Sequence, residues 1–134
     1  MLNQPTGRVW FRGVCQGRVV SDLTDLRDRM RQFTDDRDWG QFHDPKSLIL
    51  ALTGEVGELA ELFQWLPAAE AADLARAEPL HSRVGEEISD VLLYLIRLAD
   101  VVGLDLIAAV DSKLAAAESR FDKEVHYGVA PPKS

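Results

Sequence analysis

Three features of the sequence predict an all-α four-helix bundle. Apolar residues recur at spacings of three and four through four segments after Ser21, capping signals punctuate those segments, and the connections between them are short. Residues 1–20, MLNQPTGRVWFRGVCQGRVV, are set apart: they are rich in Gly and Arg and lack a helical period. They read as an extension, a short strand or disordered, ahead of a helical domain at 21–134.

The first helix is expected from Ser21 as N-cap, with Leu23, Leu26, Met30 and Phe33 on one face. A loop, RDWGQFHD, follows it. Asp44 as N-cap with Pro45 at the first helical position is a strong start signal for a second helix, expected to run to about Trp65. Pro67 interrupts that helix, and AAEAADLARA reads as a short connecting helix. The third helix begins between Pro79 and Gly85 and stops near Gly103, a natural C′ residue. The fourth has Asp105 in its first turn and runs to about Phe121, leaving HYGVAPPKS as a loop tail.

Composition narrows the function classes. With 134 residues, 46% of them hydrophobic, the chain can build one modest core. A formal charge of −7 and a pI near 4.9 oppose nonspecific binding to nucleic acid or to anionic membranes. An acidic protein that handles a polyphosphate must import positive charge as metal. The lone Cys15 forms no internal disulfide, nothing resembles a secretory signal, and Val91 to Val102 is too short and too interrupted to span a bilayer. The expectation is a cytoplasmic protein. A surplus of apolar residues points to assembly into a homo-oligomer.

Placing residues at 100° intervals puts carboxylates where core residues belong. On the second helix Leu48, Leu52, Leu59, Leu62 and Phe63 form a stripe with Glu55 inside it and Glu58 on its edge. On the third, Val91, Tyr94, Leu98, Val101 and Val102 form the stripe, with Glu87 inside and Asp90 on the edge. Any one acidic pair at i, i+3 ordinarily faces solvent. Two such pairs set against apolar periodicity need compensation, because a carboxylate taken out of water costs several kcal/mol unless paired or coordinated. Only Arg97 and Lys113 fall near the right faces, so a cation is the better account. An all-oxygen donor set suits Mg²⁺ or Mn²⁺ and disfavours Zn²⁺, and the absence of Glu-x-x-His argues against a di-iron bundle.

EVGELAELFQW (55–65) followed by EEISDVLLYLIRLA (86–99) resembles the E-x-x-E … E-x-x-D pattern of the MazG-like all-α nucleoside triphosphate pyrophosphohydrolases. The continuous stretch RDWGQFHDPKSLILALTGEVGELAELFQW is most similar to the dCTP pyrophosphatase branch, and the likeness extends over about Leu23 to Phe121. The resemblance implies that Glu55, Glu58, Glu87 and Asp90 hold Mg²⁺ and that water attacks the α-phosphorus of a nucleoside triphosphate to give monophosphate and pyrophosphate. Glu58 is the expected catalytic carboxylate, with Glu61 an outward neighbour. Trp39, His43 and Trp65 are expected around base and sugar, Tyr94 one turn beyond Asp90 with its hydroxyl toward a carboxylate or the substrate, and Lys113 and Arg120 near phosphate.

Relatives form dimers or tetramers. Where they often read K-x-x-x-N-x-x-R-Y-P, this chain has Ala117 in place of Asn and Phe121–Asp122 in place of Tyr-Pro, and Met30 stands where a His is usual. A dUTPase-like activity and a nucleotide-binding regulatory module without turnover are the alternatives.

Overall fold

The structure, a computed structural model, describes residues 22–130. The N-terminal extension and Ser21 lie outside them. Six α-helices and one 3₁₀ turn account for the regular structure among the described residues: α1 (Leu23–Asp35), the turn Trp39–Phe42, α2 (Pro45–Phe63), α3 (Ala71–Ala75), α4 (Leu80–Val101), α5 (Leu106–Arg120) and α6 (Lys123–His126). All-α is the fold class expected. Asp22, rather than Ser21, caps α1: its side chain accepts from the Asp25 amide at 2.9 Å. Asp105 is likewise the N-cap of α5, accepting from the Ala108 amide, and does not belong to its first turn. The short helix α6 lies between the fourth expected helix and the expected tail, taking in only His126 of the latter, because Asp122 accepts from both Glu124 and Val125 amides.

Asp44 and Pro45 start α2 as expected. The Asp44 carboxylate takes the Ser47 amide at 3.0 Å and the Ser47 hydroxyl at 2.6 Å. These bonds to the ionised form hold Asp44 below the usual carboxylate range. α4 ends at its C-cap Val102, and Gly103 takes the left-handed φ of 69° that a C′ residue requires.

The principal packing is α2 against α4, with α1 and α3 also on α4. That central position explains a difference from the sequence stripe. Tyr94, Ile96, Arg97 and Ala99 are all buried, so α4 is enclosed on more than one side there, whereas Val101 and Val102 are exposed. Met30 from α1 and Leu48 from α2 complete the buried apolar set, each such side chain contributing about 1.5–3 kcal/mol by leaving water. α5 carries no buried residue.

Candidate functional site

The α2–α4 pairing brings the predicted carboxylates together. Glu55, Glu58 and Glu87 each offer an oxygen within 4.8 Å of the others, and all three are partly buried. They meet because Glu55 and Glu58 are one turn apart on α2 while Glu87 comes from the facing helix. Asp90, one turn along α4, is outside this tight group but acts on it electrostatically. The Glu87 proton is held above the usual carboxylate range, first by burial and then by the charges of Glu58, Asp90 and Glu86, with Arg83 partly offsetting them. Arg83 was not singled out in the sequence. Its position four residues before Glu87 on α4 was the available signal.

A site that raises the pKa of its own acid is short of positive charge at neutral pH, and its donors are hard oxygens. Both properties fit Mg²⁺ or Mn²⁺. Tyr94 adjoins the same cluster. Burial, Glu55 and Asp90 together push its phenol up to about 12, so the hydroxyl stays protonated and remains a hydrogen-bond donor. Glu61 is exposed, on the outer side of α2.

The remaining site residues divide by position. Trp39 packs edge-on against Phe33, with ring centroids 5.5 Å apart, and the Arg37 guanidinium lies 3.8 Å over the Phe33 ring. Trp65, just past the end of α2, is 86% exposed. Lys113 lines an open apolar groove on α5 with Ala109, Val110, Leu114 and Ala117. Arg120 sits in the last turn of α5, 5.2 Å over the Phe121 ring. His43, by contrast, is buried.

The His43 Nδ1 accepts from Arg97 Nε at 3.0 Å, and burial together with the Arg97 charge holds its pKa down. His43 is therefore neutral at pH 7, with Nδ1 as the acceptor. Arg97, one of two basic residues the sequence offers as partners for the interior acids, is committed elsewhere. Its Nη1 donates to Asp100 at 3.0 Å, and Asp100 also accepts from Arg31 of α1 through Nε at 3.2 Å and through Nη2. These pairs span 54 and 69 residues, a separation at which no local pattern announces a contact.

A helical core with a three-carboxylate cluster between its two best-packed helices defines a class of all-α protein whose facing acids offer a candidate site for a hard cation. Comparison with known families names it: a family model, MazG-like, matches residues 51–128, and the chain belongs to the MazG-like family. The matched span includes all four acidic residues, Trp65, Tyr94, Lys113 and Arg120, and leaves out Trp39 and His43. The chain is 45% identical over 108 residues to dCTP pyrophosphatase 1 of Rattus norvegicus, covering 81% of this chain and 64% of that one. It is 46% identical over 99 residues to dCTP pyrophosphatase 1 of Homo sapiens, covering 74% and 58%. The chain thus spans less than two thirds of the length of these relatives. Among solved structures, a pyrophosphatase from Archaeoglobus fulgidus superposes with a TM-score of 0.69 at 35% identity, covering 80% of this chain and 98% of that one.

Proposed function

We propose that this protein is a Mg²⁺-dependent nucleoside triphosphate pyrophosphohydrolase that removes dCTP, or a modified dCTP, from the nucleotide pool. The observation that carries the reading is the cluster of Glu55, Glu58 and Glu87, its oxygens within 4.8 Å of one another. The names of the relatives at 45–46% identity support dCTP as the nucleotide. No helix among the described residues is long and apolar enough to cross a membrane, which is compatible with action on soluble nucleotides.

Glu55, Glu58 and Glu87, with Asp90 one turn along α4, would hold the cation. When bound, it neutralises charge along the triphosphate and makes water a better nucleophile at neutral pH. Glu58 accepts the water proton as the oxygen forms its bond to the α-phosphorus. The bridging oxygen between α- and β-phosphorus leaves with pyrophosphate, and the monophosphate keeps the oxygen that attacked. Tyr94, neutral up to about pH 12, donates toward substrate without adding negative charge. Trp39 and Trp65 flank the base, and Lys113 and Arg120 of α5 meet phosphate oxygens. His43 closes the turn that bears Trp39 and is buried on Arg97, so its part in the pocket is indirect.

Hydrolysis of dCTP in ¹⁸O-labelled water tests this. Label is expected in dCMP and none in pyrophosphate, with turnover abolished by excess EDTA. Label in pyrophosphate overturns attack at the α-phosphorus, and full turnover in EDTA overturns the metal role. Metal-dependent dCTP binding without hydrolysis would make the protein a nucleotide-binding module.

A further inference from the structure

The chain Arg31–Asp100–Arg97–His43 ties three sequence-distant parts of the molecule, α1, the loop before α2, and α4, and all of its side chains except Arg31 are largely out of water. Arg97 is 8% exposed, His43 6% exposed, and the Asp100 side chain 10% exposed. A guanidinium so placed is tolerated only where its donors are satisfied, and its planar fork fixes the direction of each partner. Arg97 meets that demand with one bond to the loop and one to Asp100. Asp100 is in turn held from α1 by Arg31.

Position along α4 gives the network its meaning. Tyr94 precedes Arg97 by three residues, Asp90 by seven and Glu87 by ten, so the network lies about 10 Å along the helix from Asp90 and about 15 Å from Glu87 of the acidic cluster. The loop it grips is also tied to α1, where Trp39 packs on Phe33, and to itself, where Gln41 Nε2 donates to the Asp38 carbonyl and carboxylate. Its 3₁₀ turn has four residues, Gly40, Gln41 and Phe42 are exposed, and Asp38 adopts a left-handed φ of 51°. Trp39 stands in that turn, and His43 is its last anchor before Asp44 caps α2.

We infer that Arg97 is a positioning residue that, through His43, fixes the Trp39 loop relative to α4 and so sets nucleotide affinity without entering the chemistry. The cluster itself is held by α2 packing on α4, which does not depend on this bond. Loss of the bond loosens the loop against α4, with its packing on α1 retained, and leaves the carboxylates in place. The kinetic part of this inference rests on the proposed function; the structural part does not.

Two measurements test it on the full chain. The first is amide hydrogen–deuterium exchange over residues 36–44 in His43→Leu, which cannot accept from Arg97, and His43→Asn, whose side-chain oxygen can. Exchange of the turn amides, such as His43 N–H bonded to the Gly40 carbonyl, is expected to quicken about tenfold in His43→Leu, the worth of one hydrogen bond to a charged group. Near-native exchange is expected in His43→Asn, with residues 87–98 unchanged in both. Equal exchange in the wild type and His43→Leu overturns the inference, whether or not the protein hydrolyses dCTP.

The second is steady-state hydrolysis of dCTP with Mg²⁺. His43→Leu is expected to raise KM about tenfold with kcat within about twofold, and His43→Asn to restore KM. A matched fall in kcat with KM unchanged overturns it. Should His43→Leu fail to fold, Arg31→Gln removes the exposed outer link and is expected to quicken exchange in the same segment; an unchanged segment overturns the inference there too.

Discussion

At Glu87 the fold holds a carboxylate against two others and partly out of water, and the proton is consequently bound more tightly than in the unfolded chain. The sign of its effect on stability follows. The folded-state pKa is raised above 4.5, so its stabilising contribution is complete below that value and is lost as pH rises through the folded pKa. At neutral pH the metal-free protein therefore lacks it, and a cation that binds the cluster restores the deficit by mass action. Glu87→Gln is neutral at every pH and nearly the same size. Its metal-free unfolding midpoint at pH 7 is expected above that of the wild type, with the difference shrinking as pH falls toward 4.5 and the rise on adding Mg²⁺ gone. Thermal unfolding followed by circular dichroism across pH, with and without Mg²⁺, reads both effects. A lower metal-free midpoint at pH 7 would mean that Glu87 is held by a structural cation such as Arg83.

Helix ends were the most legible part of the sequence because each depends on one or two adjacent residues. Asp44 with Pro45 and Gly103 mark their boundaries through backbone chemistry that no distant contact can override. At Gly103 a Cβ would meet nothing within 4 Å, so the cost of Gly103→Ala is that of the left-handed φ alone. That cost is about 1 kcal/mol, expected as a lower unfolding midpoint with helix content retained. A neutral substitution would show that the turn after α4 relaxes. The carboxylates were equally legible, because their violation of apolar periodicity is a local fact about α2 and α4. The buried set at Tyr94, Ile96, Arg97 and Ala99 was not, since a helix enclosed on several sides has no single stripe. Nor were the partners of Arg97: proximity to an acidic face suggested a role there, but His43 and Asp100 reach it first. The placement of Asp22 as cap instead of Ser21 is the one-residue ambiguity of adjacent capping residues.

On the scale of the whole molecule, α5 is a 15-residue helix that, among the described residues, buries none of its side chains. Ile107, Val110 and Leu114 fall at spacings of three and four, joined by Ala117, yet the first three are 48–58% exposed. An apolar stripe of that regularity left in water is costly, and helices bearing one bury it against another helix. Among the described residues α1, α2 and α3 already pack on α4, and a second copy is the partner expected to cover the stripe. A twofold axis would set one α5 stripe against its equivalent and bring Lys113, which lines the groove, to the joint between copies. The wild type is therefore expected as a dimer or tetramer by light scattering at micromolar concentration. Val110→Glu combined with Leu114→Glu places four like charges across such an interface and is expected to give monomers of unchanged helix content. Because Lys113 and Arg120 share that helix, turnover should fall with the oligomer while Mg²⁺ binding to the carboxylates persists. A wild-type protein that stays monomeric at these concentrations would overturn the assembly, and a double variant that keeps its assembly would mean that another face, such as the exposed Ile49 and Leu50 of α2, joins the copies.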